Sequence, residues 1–219
     1  SAGGVFGKGA ISPTALTDCP QFEDPLASRA EPAIGPCTYN LLTIIDKVRS
    51  LPPGVYCGGL TIRGNSVVTF EPGVHIIKNG LFSLTDGATI IGKNAGFYMT
   101  GISAFLFGPN SHVSLSAPKD GPMAGLLFFG SRSQSKLLTN LILSNDAREL
   151  LGTIYLPQNS LIVDASSKVG HESAYTAIIA RRLVLQSGPT LTLNSDYDAS
   201  DIPVPDGIRG VDQPVALVQ

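Results

Sequence analysis

Any chemistry in this sequence would come from a few carboxylates, three histidines, some tyrosines and three cysteines. Two carboxylates facing one groove can hydrolyse a glycosidic bond, one as acid and the other as base or nucleophile. Asp86, Asp120, Asp146 and Asp164 are the available candidates. Asp86 lies in Thr85-Asp86-Gly87-Ala88 and Asp120 in Lys119-Asp120-Gly121-Pro122, both turn signatures. Asp164 ends an apolar strand, where an outward position is expected. His75 and His112 fall at outward strand positions with no Cys or Glu at metal-ligand spacing, and His171-Glu172 lacks the second His of HExxH. Asp196, Asp198 and Asp201 offer a weak cation site. An EF-hand loop counted from Asp196 would need Gly and Glu where Asp201 and Gly207 stand, so a capping turn is the plainer reading.

No GxSxG elbow, GxGxxG or P-loop occurs, so no catalytic residue and no cofactor is expected. Lys119, Arg181 and Arg182 could contact an anion or a sugar. Adjacent residues of a strand point to opposite faces, which favours a turn at Arg181-Arg182. Tyr39, Tyr56, Tyr98, Tyr155 and Tyr175 are candidate sugar-stacking groups. Tyr56 and Tyr98 would share a face if they hold equivalent positions in two repeats; ordinary ladder packing is the alternative.

The elements that must position these groups form a repeat. LPPGVYCGGLTIRGNSVVTF (51–70) is followed by EPGVHIIKNGLFSLTDGATII (71–91), with the two Pro-Gly-Val triplets 19 residues apart. Short strands rich in Val, Ile, Leu, Thr and Phe then recur, bounded by Gly, Asn, Asp, Ser and Pro. With first strands at Val55, Val74, Phe97, Leu126, Thr153 and Ala177, the spacings are 19, 23, 29, 27 and 24. Three short strands per unit make one coil of a parallel β-helix, which buries its inner face only by stacking about 4.8 Å from the next coil. A β-sandwich would instead show hairpin signals and strands every 8–12 residues or so. The six-residue period of left-handed hexapeptide helices is missing. The expectation is therefore an all-β, right-handed parallel β-helix of about six coils over 51–195. Loop-rich caps at 1–50 and 196–219 would complete one structural domain, the N-terminal one crossing the first coil. Gly54, Gly73 and Gly96 should open equivalent strands, with Val55, Val74 and Phe97 inward. The two helix candidates are 40–51 and 144–150.

Of the 219 residues 15% are charged and 43% hydrophobic, which excludes global disorder. A net charge of −2 and a pI near 5.9 argue against a nucleic-acid partner. No apolar run reaches the roughly 18 residues needed to cross a bilayer.

Several strings carry a resemblance: DCPQFEDPLASR (18–29), LPPGVYCGGLTI (51–62), EPGVHIIKNG (71–80), LSAPKDGPMAGLLFF (115–129), LLGTIYLP (150–157), SAYTAIIARRL (173–183) and LNSDYDASDIPVP (193–205). Over about residues 18–206 the chain resembles the C-terminal region of bacterial TadE/TadG-like proteins, associated with Tad (Flp) pilus assembly, chiefly in Gram-negative bacteria. The resemblance implies an extracytoplasmic part of an envelope protein whose membrane helix lies outside this sequence, with no catalytic residues to carry over. The function expected is a non-catalytic structural or adhesive module of the envelope. Its partners would be envelope or pilus components, a second copy met through the coil ends, or a glycan. A carbohydrate-binding or carbohydrate-active β-helix and a self-assembling fibre subunit are the alternatives.

The cysteines Cys19, Cys37 and Cys57 form no CxxC. Three buried thiols would suit a cytosolic protein; the envelope resemblance favours oxidation. If Val55 points inward, so does Cys57, and a Cys37–Cys57 bridge would tie the Pro-rich segment to the first full coil. Cys19–Cys37 would instead staple the loop to itself.

Overall fold

The structure, a computed structural model, describes residues 10–12, 14 and 23–208. Every described element is a strand, and every ladder between strands is parallel. Seven coils stack into a parallel β-helix. The first holds β1 (Tyr39–Ile45) and β2 (Val48–Leu51), and the second β3 (Gly54–Arg63) and β4 (Val67–Phe70). The third holds β5 (Gly73–Lys78), β6 (Leu81–Leu84) and β7 (Thr89–Gly92); the fourth β8 (Ala95–Thr100), β9 (Ala104–Phe107) and β10 (His112–Ser116). β11 (Leu126–Gly130), β12 (Thr139–Ile142) and the start of β13 (Asp146–Val163) make the fifth. The rest of β13 with β14 (Lys168–Val169) makes the sixth, and β15 (Thr176–Leu185) with β16 (Thr190–Leu191) the seventh.

The β-helix thus starts at Tyr39 rather than 51, which raises the coil count from six to seven. The stretch 40–51 carries apolar residues at helical spacing, yet Leu41 and Asp46 adopt left-handed φ of 49° and 50°. They turn it into two strands meeting at a corner, and β1 pairs with β3 through Tyr39↔Tyr56 and Ile44↔Ile62. The second helix candidate, 144–150, becomes the start of β13 on the ladder with β10.

Each coil contributes to three faces. On the first, the inward column runs Gly54, His75, Phe97, Phe128, Ile154, Ile178. Its rings stack: His75–Phe97 at 5.5 Å between centroids and Phe97–Phe128 at 5.2 Å. The second face keeps one inward column through all seven coils: Ile44, Ile62, Leu84, Phe107, Ile142, Val163, Leu185. The third face, on β2, β4, β7, β10 and the start of β13, sends Val68, Ile90, Val113 and Ala147 inward, all buried.

The register differs from the one expected. Gly54 pairs with His75 and Gly73 with Ala95, so the Pro-Gly-Val glycines are not equivalent. Phe97 points into the central core as expected. Val55 joins Ile76, Tyr98, Phe129 and Tyr155 in an outward column, and Val74 packs with that same outer cluster. The triplets mark corners, where Gly73 packs on Pro53; they do not mark rungs. The corner between the first two faces has its own glycines. Gly58 and Gly59 take φ of 75° and 101°, and a Cβ on Gly80 of the next coil would lie 2.1 Å from the Gly58 carbonyl carbon.

The described part of the Pro-rich segment, from residue 23 on, does not cross the end of the first coil. Residues 23–38 run along the side of the rod, and Leu26 packs into the outer cluster with Tyr98, Met123, Phe129 and Tyr155. The outward residues of the first face are large and apolar, so this face needs a cover, and the strap supplies it. The C-terminal segment meets the strap: Gly207 packs against Pro25, and Gly125, at φ 73°, sits where a Cβ would be 2.1 Å from the Pro203 carbonyl oxygen. Ile202 is buried in the main core and Tyr175 donates to the Pro203 carbonyl at 2.7 Å.

Cys37 and Cys57 form the expected disulfide, with Cα atoms 5.7 Å apart. Its setting differs: Tyr56 takes the inward position and Cys57 packs with the outer cluster, so the bridge ties the strap's end to the outside of the second coil. Cys19 lies outside the described residues. Disulfides of this kind persist in oxidising compartments, which makes the chain extracytoplasmic. Among the described residues no helix is long and apolar enough to cross a membrane.

Candidate functional site: a polar groove on the uncovered face

The outer columns of the third face are Val48, Val67, Thr89, His112, Asp146 and Ser50, Thr69, Ile91, Ser114, Glu149. Here strand alternation places short polar groups outward. Toward the C-terminal coils they become ionisable and line an open groove of about 320 Å³, with Ile91 and Thr89 on one side and His112, Asp146, Arg148 and Glu172 on the other.

His112 and Asp146 are neighbours on one rung, and His112 Nδ1 meets Asp146 Oδ2. Arg148 donates from Nε to the other carboxylate oxygen of Asp146, and its Nη1 lies 3.7 Å from Glu172. His171 Nε2 is also 3.7 Å from that Glu172 oxygen. Partial burial pushes the Asp146 carboxyl upward, but hydrogen bonds from His112 and Arg148 and the guanidinium charge outweigh it and hold it below the usual range. The same pairing raises Arg148.

This geometry limits the chemistry. A glycosidase acid needs a carboxyl held protonated near neutrality, and Asp146 is shifted the other way. A hydrolase triad needs a hydroxyl on the histidine, and Ser114 donates to Glu149 at 2.6 Å. The groove presents instead a ring of fixed donors and acceptors beside an apolar side chain, which suits recognition of a small polar molecule.

The other candidates are dispersed. Asp86 sits in a turn at φ 59°, as its neighbours indicate, and Asp120 lies in the bend before Gly121. Asp164 follows β13, its amide bonded to the Ile142 carbonyl. Asp201 pairs with Lys119, and the Asp196 amide bonds to the Ala174 carbonyl. Among the described residues no cluster containing Asp196, Asp198 and Asp201, or any other His, Cys, Asp or Glu, could hold a metal ion. Arg181 is tied to the Gln158 and Lys136 carbonyls, while Arg182 is exposed one residue on, across a break in register rather than a full turn.

Three expectations are corrected. His75 is buried, not outward, because its strand's alternation runs opposite to the expected one. Its Nε2 donates to the Glu71 carbonyl at 2.9 Å, leaving Nδ1 to face the Tyr56 hydroxyl at 3.4 Å, and burial pulls its pKa down to about 4. Tyr56 and Tyr98 are both buried, so neither can stack on a sugar. Nor do they share a face: Tyr56 is in the central core and Tyr98 under the strap. Tyr155 and Tyr175 are buried as well, and Tyr39 stacks on Tyr56 at 5.1 Å.

Sequence reasoning missed the polar cluster that holds the strap. Arg132 donates to the Tyr155 hydroxyl at 3.0 Å and to the Arg29 and Leu26 carbonyls, and lies 3.6 Å from Asp24 and 3.8 Å from Glu31. Tyr98 donates to Glu31 at 2.6 Å and Tyr155 to Asp24 at 2.5 Å. The guanidinium also covers the Phe129 and Tyr155 rings at 5.2 and 5.3 Å. Burial raises Tyr98 to about 12, with the Glu31 carboxylate adding to it. Arg132 and its strap partners lie about a hundred residues apart in sequence, so no local motif signals them.

No family model matches the chain, and neither a curated protein nor a solved structure matches it.

Proposed function

We propose that this chain is a non-catalytic structural or adhesive module of the bacterial envelope, associated with Tad pilus machinery in a Gram-negative cell. The observation that carries the structural half is the use of the polar cluster around Arg132. Arg132, Glu31 and Asp24 turn their hydrogen-bonding capacity inward, to hold a strap on the side of a disulfide-tied rod. A rod braced along its length presents its surface at fixed spacing, which is what a spacer or adhesive element needs. The sequence resemblance supplies the pilus association.

The test is removal of the encoding gene from a piliated host, with pili counted by electron microscopy and surface attachment measured. The proposal expects loss of attachment or of pili, restored by the wild-type gene and also by a His112→Ala, Glu172→Ala copy. Normal pili and attachment without the gene would overturn it. Rescue by wild type but not by the groove variant would move the function to the groove.

That second reading is glycan binding, favoured by the pairing of apolar Ile91 with the His112, Asp146, Arg148 and Glu172 rim. A glycan array followed by calorimetry tests it: binding lost in Arg148→Ala supports it, and a blank array removes it.

A further inference from the structure

We infer that the first coil is built as a stop against a second copy of this chain, and that Arg49 is the residue that sets it. The ends of a parallel β-helix are two different edges of the same ladder, so the last coil of one copy can in principle continue onto the first coil of another and grow an open filament. The second face is suited to such growth. Its inward column ends in Leu185 at one end of the rod, 47% exposed, and begins with Ile44 at the other. Leu183, 41% exposed, and Leu42 stand in the same relation two residues earlier on each strand.

The third face breaks the continuity. Its inward column reads Arg49, Val68, Ile90, Val113, Ala147, and the last four are at most 2% exposed. Arg49 therefore occupies a core position on a terminal coil, whose outer edge faces no other described strand. Its guanidinium lies over the Tyr39 ring, 5.6 Å from the centroid, so the side chain reaches from the third face to the first across the mouth of the core. The stem covers apolar surface while the charge stays in water. Among the described residues no ion pair joins Arg49 to a carboxylate. A stacked second copy would therefore bury an uncompensated guanidinium, a penalty that growth through the leucines must first overcome.

The experiment is a concentration series of the full, oxidised chain by size-exclusion chromatography with light scattering. Wild type and Arg49→Lys should stay monomeric throughout. Arg49→Val, which gives the column its usual residue, should at least double its mass as concentration rises. Adding Leu185→Arg at the opposite end should return Arg49→Val to monomer, which non-specific aggregation would not do. Should Arg49→Val fail to fold by circular dichroism, Arg49→Gln removes the charge while keeping the stem, and the same series decides. Self-association of wild type, a monomeric neutral variant, or oligomers that Leu185→Arg leaves intact would each overturn the inference.

Discussion

The first and third faces are made of the same kind of parallel ladder, yet their outer sides differ. Under the strap the outward column reads Val55, Ile76, Tyr98, Phe129, Tyr155; on the uncovered face it reads Val48, Val67, Thr89, His112, Asp146. On one side a loop without secondary structure makes a sheet surface into a second core, with Leu26, Met123 and Ile208 completing it. On the other, the sheet meets water and its side chains shorten and take charge. Burial here follows from what lies over the sheet, not from the ladder itself.

The sharpest challenge to this comparison is a matched pair of truncations. Phe128 faces the central core and its neighbour Phe129 faces the strap. If the strapped side is a true core, Phe128→Ala and Phe129→Ala should each cost about 3–5 kcal/mol in urea unfolding. A cost for Phe129→Ala below about 1 kcal/mol, the scale of a surface change, would show the strap to be a loose cover.

The next effect is pH-dependent. Buried His75 resists protonation down to about 4, whereas in the unfolded chain it protonates near its ordinary value of 6.5. The unfolded state therefore takes up the proton first as pH falls. The stabilisation is complete above about pH 6.5 and is lost between there and pH 4, by about 3 kcal/mol. Chemical denaturation across that window measures it, and His75→Phe should flatten the slope. Glu31 acts in a lower window. Burial pushes its carboxyl up, but hydrogen bonds from Tyr98, the Arg132 amide and Ser131, with the Arg132 charge, hold it below its ordinary 4.5. Its contribution is present above that value and lost as pH falls further.

Reducing the Cys37–Cys57 bridge should cost about 3 kcal/mol or somewhat less in the chain-entropy view, read as a shift in the urea midpoint with and without reductant. Arg132→Met keeps the stem over Phe129 but removes the bonds to the strap; a loss of about 2 kcal/mol is expected. Limited proteolysis should then cut between residues 23 and 38 before it cuts any coil. The smallest effect belongs to the uncovered face, where Thr69→Ala should stay within about 0.5 kcal/mol.

The coil architecture was legible because short β-branched strands punctuated by Gly and Pro at 19–29-residue spacing admit few folds. Register was not, because Pro53-Gly54 and Pro72-Gly73 match as corners while the inward set is chosen by ladder partners such as Tyr56 and His75. One shift of alternation exchanged His75 with Val74 and Tyr56 with Val55, and with them the expected surface residues. The strap could not be read at all: Asp24, Arg29 and Glu31 look like loop charges until Arg132 and the carbonyls of 121–124 are brought beside them. In the groove, His112 and Asp146 were named separately, and only the rung that pairs β10 with β13 joins them.

The strap and the disulfide together set how the rod would carry load. Tension on the chain ahead of residue 24 reaches the Arg132 clamp first, pulling it in shear along the side of the middle coils. Beyond the clamp it crosses the Cys37–Cys57 bond into the second coil, bypassing residues 38–56. The first coil therefore lies outside the path of the force and is spared the peeling that a terminal coil ordinarily suffers.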